Sequence, residues 1–182
     1  MKHLILPLAL IGLLIGCTKE KPVEPIEPTP PIDTTSHIIE LGKGSVLRNG
    51  IPWNGTFSAH FNANDQKRIS LEVKLNESGF DHILSVSDIS ILVGYQTIEK
   101  RGPGNSNNGI PNARYHVILD LDQQLNTYNV DSTRSNQYVE LLSYDSINHI
   151  VEGRFQTFLE GPTTWSFLPD SMAMTEGKFH LK

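Results

Sequence analysis

The chain has 182 residues, 15 basic side chains against 20 acidic ones, a formal net charge of −5 and a single cysteine. A mildly acidic balance speaks against tight, counterion-driven binding of nucleic acid. One thiol excludes an internal disulfide and a CxxC redox pair.

Lys2 and His3 precede an apolar run from Leu4 to Ile15, the pattern of an export signal. As a helix of about a dozen residues it would cover roughly 18 Å, well short of the ~30 Å hydrocarbon core, so residues 1–16 read as a cleaved signal and not as a membrane span. The stretch Leu14-Ile15-Gly16-Cys17, with a small residue just before the cysteine, resembles the bacterial lipobox. That resemblance implies cleavage before Cys17 and acylation of its thiol and amine, palmitate being the type of chain expected; the alternative is an ordinary signal with a chance cysteine. Two or more acyl chains anchor stably where one does not. Thr18 in place of Asp argues, by the same resemblance, against retention in the inner membrane and for the outer membrane, and Lys19-Glu20-Lys21 resembles the charged signals of surface-exposed lipoproteins. With Cys17 committed to lipid, no cysteine nucleophile is left, and the exported domain must hold together by its core alone.

Residues 17–37 carry the acylated cysteine and then Pro22, Pro25, Pro28, Pro30 and Pro31 among Glu, Thr and Lys. Proline fixes φ and removes donors, so this is extended chain, reaching up to roughly 60 Å at ~3.1 Å per residue. It reads as a spacer, with a proline-rich docking peptide as the alternative. Residues 38–182 are enough for one domain with one core.

The domain opens with Val46 to Trp53, where Asn49-Gly50 supplies the two positive φ values of a type I′ hairpin turn. Pro52 cannot donate to a ladder and so belongs at an edge. From Thr56 to Ala63, Phe57, Ala59, Phe61 and Ala63 share one face; after turn chemistry at Asn64 to Lys67, Ile69, Leu71, Val73 and Leu75 alternate with polar residues, so the two strands form a hairpin. Ile83 to Val93 reads as one or two short strands broken at Asp88, followed by a strand around 94–100 and a Gly/Asn/Pro loop over 101–111. Tyr115 to Leu121 alternates, a short strand spans Tyr128 to Asp131, and longer ones cover 138–144, 150–159 and 172–181. No segment sustains a period near 3.6, so the expected fold is all-β: a single antiparallel β-sandwich or barrel-like domain of about eight to ten strands.

An internal echo links Glu152-Gly153-Arg154-Phe155 with Glu176-Gly177-Lys178-Phe179, and Gly55-Thr56-Phe57 repeats the Gly-x-Phe core. Gly and the Phe two residues on share a strand face, which makes these sheet-shaping positions. If Gly153 lies opposite Gly177, Glu152 faces Lys178 and Arg154 faces Glu176 on the outer surface.

The lipobox and linker, Asn49-Gly50-Ile51-Pro52-Trp53, Tyr144-Asp145 and the two closing Gly-x-Phe strands together resemble small lipoproteins of Gram-negative envelopes that carry β-rich domains of unknown function. The resemblance implies an envelope-facing β-domain and transfers no catalytic residue.

His60, His116 and His180 lie on outward strand faces and make a metal site only if their strands are neighbours; no two histidines stand at i,i+2 or i,i+4. Asp120 and Asp122 share a face but lack the Gly and Glu of an EF-hand loop. No GxSxG or GxxxxGK spacing occurs. A paired-carboxylate glycosidase needs only two well-spaced acids, and sequence singles out no pair. The apolar segment 161–169 offers Trp165 and Phe167, either as a plug over one end of the β-structure or as contacts for a sugar, peptide or protein partner. Asp33-Thr34, Asp131-Ser132, Asp145-Ser146 and Asp170-Ser171 resemble bacterial O-glycosylation acceptors and are equally ordinary turn formers. The expectation is therefore a lipid-anchored envelope protein. Its β-domain is a non-catalytic binding or accessory module, without cofactor or metal, whose partners are the membrane through Cys17 and a glycan, peptide or envelope protein, and no nucleic acid. A structural or adhesion component and a carbohydrate-active enzyme are the competing classes.

Overall fold

Asn49 and Gly50 take φ of 52° and 79°, the two positive values the type I′ turn demands. They join β1 (Lys43–Arg48) to the two-residue β2 (Ile51–Pro52), with Arg48 opposite Ile51. The computed structural model describes residues 40–63, 65–101, 109–119, 123–161 and 168–182. β3 (Thr56–Asn62) and β4 (Asp65–Glu77) form the expected hairpin, and Ser78-Gly79, again with two positive φ values, turns β4 into β5 (Phe80–Ser90).

β5 is one strand of 11 residues, and its broken hydrophobic pattern is a bulge. Asp88 sits at φ 62° where the β4–β5 register slips, so Leu84 and Val86 point inward before it and Ile89 after it, while Ile83 faces out. Arg68 donates to the Asp88 carbonyl and Asn112 to its carboxylate, which satisfies the irregular backbone. After β6 (Gly94–Thr97) come β7 (Asn112–Leu119) and β8 (Gln123–Val130). β8 starts five residues earlier than alternation predicts, because Gln123 to Thr127 is largely polar and is recruited by pairing with β7.

β9 (Tyr138–Asp145), β10 (Ile150–Glu160) and β11 (Ser171–Leu181) complete the chain. The eleven strands among the described residues belong to one antiparallel sheet, ordered β2-β1-β11-β10-β8-β7-β5-β4-β3, with β9 and then β6 attached beside β10. The sheet is not closed by hydrogen bonds; it rolls until β3 lies against β1 and β11. The fold is thus all-β and sandwich-like, as alternation predicts, with a single core of Leu71, Val73, Leu84, Tyr115, Tyr128, Phe155, Phe179 and their neighbours.

β10 changes partner midway: residues 150–156 pair with β9 and residues 159–160 with β8. At the gap the buried Gln137 side chain accepts from the Phe158 N–H (2.9 Å) and the Thr157 hydroxyl (3.0 Å), and donates to the Asp131 and Arg134 carbonyls. A side chain here does what a ladder does elsewhere.

The register of β10 against β11 departs from the charge-pairing expectation. The strands are neighbours, but Gly153 faces Phe179 and Phe155 faces Gly177, so Arg154 lies opposite Lys178. Each ring fills the space left by the opposing glycine: a Cβ on Gly177 would fall 2.5 to 2.6 Å from three Phe155 ring atoms. Burying two aromatic rings outweighs exposed charge pairs of about 0.2–1 kcal/mol each. Arg154 finds Glu140 on β9 instead, at 2.6 Å.

Candidate functional site

The Asn-Gly turn delivers Trp53 to the core, and its backbone N–H bonds the Val46 carbonyl at 2.9 Å. Alternation along β5 puts His82 on the same inward face as Leu84 and Val86. The ends of β1, β4 and β5 then converge with β7, gathering Arg48, Glu77, His82 and Tyr115 around Trp53. Arg48 donates to Glu77 Oε2 at 2.6 Å and to the Tyr115 hydroxyl at 3.0 Å, and its guanidinium lies 5.6 Å from the Trp53 ring centroid. Tyr115 is packed between Trp53 and Tyr128, each 5.7 Å away between ring centroids.

Arg48 can only donate, so the Tyr115 oxygen accepts from it. His82 Nδ1 lies 2.7 Å from the same hydroxyl, a hydrogen bond whose donor depends on the imidazole tautomer. Burial, followed by the nearby Arg48 charge, lowers the His82 pKa and keeps the ring neutral. Burial pushes the Tyr115 phenol up to about 12, and the hydrogen bond from Arg48 holds Glu77 below its usual range.

These residues, Tyr115 excepted, line a cavity of about 600 Å³ whose walls also include Asn49, Asn54, Ile51, Pro52, Leu75, Met172 and Leu168-Pro169. Trp53 is 3% exposed, and its indole N–H has no hydrogen-bond partner among the described residues. Among the described residues the Arg48 guanidinium makes two side-chain hydrogen bonds. The cavity therefore sets one balanced Arg48–Glu77 ion pair against largely apolar walls.

At the opposite ends of β4 and β11 lies a second cavity of about 430 Å³, where Phe61 meets Tyr144 and His149 edge-on. A third feature is the β6–β9 edge: Leu92, Val93, Tyr95 and Leu142 are exposed, and Tyr95 stacks on Tyr138.

Of the residues singled out in the sequence, Cys17, Trp165, Phe167, Asp120 and Asp122 lie outside the described residues. Leu168 and Pro169, the end of the 161–169 segment, do line the larger cavity, and Tyr128 donates to the Pro169 carbonyl at 2.7 Å. His60, His116 and His180 fall on β3, β7 and β11, which do not pair with one another, and no group of three or more potential metal ligands occurs among the described residues. His60 bonds Ser58 and His116 bonds Thr127. Asp131 and Asp145 each accept from the backbone two residues on, as turn formers do. Arg48, Glu77, His82 and Tyr115 carry no sequence motif; the one pointer was the Asn-Gly-x-x-Trp opening beside Arg48. Compared with known proteins, the chain matches no family model, no curated protein and no solved structure.

Proposed function

We propose that this chain is an envelope lipoprotein, tethered to the outer membrane by acyl chains on Cys17 and held off it by the proline-rich spacer, whose β-domain is a non-catalytic binding module. The observation that carries the binding role is the cavity beside Trp53, a space of about 600 Å³ with the Arg48–Glu77 ion pair on an otherwise largely apolar wall. Cavities of this size suit small ligands. Glu77, held ionised by Arg48, is not poised to act as a general acid.

The anchor is tested on full-length protein made in a Gram-negative host. Wild type should carry acyl mass and fractionate with outer membrane, and Cys17→Ser should lose both while keeping the wild-type melting curve. Membrane retention of a wild type that carries no acyl mass overturns the anchor.

The exposed apolar edge at Leu92, Val93 and Tyr95 favours adhesion or assembly as a second reading. Leu92→Asp should then reduce retention of envelope partners without lowering the melting temperature.

A further inference from the structure

Resting on the lipid-anchored reading, we infer that one end of the β-domain seats directly on the bilayer, its apolar turn tips entering the boundary between headgroups and acyl chains. That end holds the smaller cavity, where the β3–β4 and β9–β10 turns and the end of β11 meet through Phe61, Gln66, Tyr144, His149 and Lys182. The β5–β6 turn joins them, since the Ile91 N–H bonds the Lys67 carbonyl and Gly94 lies opposite Leu141. The Gly42 N–H bonds the His180 carbonyl at 2.7 Å, so Glu40, where the described chain begins and to which the spacer leads, is at this end as well.

Two of these turns carry large aliphatic side chains at their tips: Leu92 is 75% exposed, Val93 63% and Ile147 87%. In both turns side chains satisfy the backbone. Ser90 exchanges two hydrogen bonds with the Gln96 amide, the Leu92 N–H donates to Ser90 Oγ, and Asp145 accepts from the Ile147 and Asn148 N–H groups. Turns with these groups already bonded can enter a layer without water, where an unpaired backbone group is costly. The same arrangement disfavours a strand-pairing protein partner, which needs main-chain groups to bond. Tyr95, exposed and stacked on Tyr138, follows the Leu92-Val93 tip, and amphipathic rings of this kind favour the membrane interface. The charged side chains of this end are of both signs, Lys43, Lys67 and Lys182 with Glu40, Asp65 and Asp145, which suits zwitterionic headgroups. At the other end the Asn49-Gly50 and Ser78-Gly79 turns are polar, with Ile51 exposed beside the first. Acyl chains on Cys17 make the second contact intramolecular, so a few aliphatic side chains are enough to hold it. Seated this way, the domain turns its Trp53 cavity, at the opposite strand ends, towards water.

The test uses the acylated full-length protein in phosphatidylcholine nanodiscs doped with a lipid that carries a nitroxide on its acyl chain, and reads paramagnetic broadening of backbone amide NMR signals. Signals of residues 91–93 and 146–148 should broaden away, while those of Gly50 and Gly79 keep their intensity. Leu92→Asp combined with Ile147→Asp should lose the broadening and keep the acyl mass and melting curve of wild type; Leu92→Ser with Ile147→Ser serves if the charged variant does not fold. Equal intensity at all four turns overturns the seat, as does broadening that needs added phosphatidylglycerol and is reversed by salt. Tip signals that instead shift with protein concentration in lipid-free buffer, followed on Cys17→Ser, mark a second copy as the occupant and overturn the inference. In each of these cases acyl mass on the wild type leaves the anchor standing. If the wild type carries no acyl mass the anchor fails, and Cys17→Ser with excess nanodiscs decides: broadening at the tips upholds the seat, and its absence overturns both.

Discussion

Gly177→Ala probes the contact that fixes the sheet's register. Its Cβ would lie 2.5 to 2.6 Å from three atoms of the Phe155 ring, where carbon contacts settle near ~3.5–4.0 Å. Phe155 is fully buried in a close-packed core, so the overlap of about 1 Å must be relieved by moving strands or rings. Overpacking of this kind costs about 1–3 kcal/mol. Working against it, Ala restricts the unfolded chain and favours the native state by about 0.4–1 kcal/mol, and Gly177 has no positive φ for Ala to strain. The net expectation is a loss of about 1–2 kcal/mol, equivalent to a melting temperature lower by about 2–8 °C for a domain of this size. Thermal and urea unfolding followed by circular dichroism measure it. Phe155→Leu should relieve the clash, so a double-mutant cycle should return a coupling of at least about 0.5 kcal/mol. A melting temperature unchanged or raised in Gly177→Ala, or a cycle that is strictly additive, refutes the ring-over-glycine register.

The same register predicts the sign of a surface change: Lys178→Glu places a carboxylate opposite Arg154 and should raise stability by about 0.2–1 kcal/mol, seen as a higher urea midpoint, whereas opposite Glu152 it would lower it. Gln137→Leu strands the Phe158 N–H and the Thr157 hydroxyl where β10 changes partner, and should cost about 2–4 kcal/mol by urea denaturation, with faster amide exchange at Phe158. Burial lowers the His82 pKa below its ordinary 6.5, so the unfolded chain takes up the proton first. Its contribution is therefore complete above pH 6.5 and is lost as pH falls through the depressed folded value. His82→Gln should flatten the decline of the urea midpoint below pH 6.5, and parallel pH profiles for the two proteins would contradict the buried neutral ring.

Local chemistry alone determined the strand content, the Asn49-Gly50 hairpin, the edge position of Pro52 and the inward faces of the strands holding Ile69, Val73, Tyr115 and Phe155. Period-2 alternation and turn preferences act within a few residues, and the structure follows them. The polar beginning of β8 and the bulge at Asp88 escaped that logic, because the strand pairing at those points comes from neighbours far along the chain. Register was decided only in three dimensions, where fitting Phe155 over Gly177 and Phe179 over Gly153 outweighed the surface charges that made another alignment attractive. The cavity belongs wholly to the tertiary level. Arg48 reaches Glu77 across 29 residues and Tyr115 across 67, and His82 reaches Tyr115 across 33, so no window of sequence contains the site. Each of its residues reads as ordinary where it stands, and only the rolled sheet turns them into one polar cluster beside a buried indole.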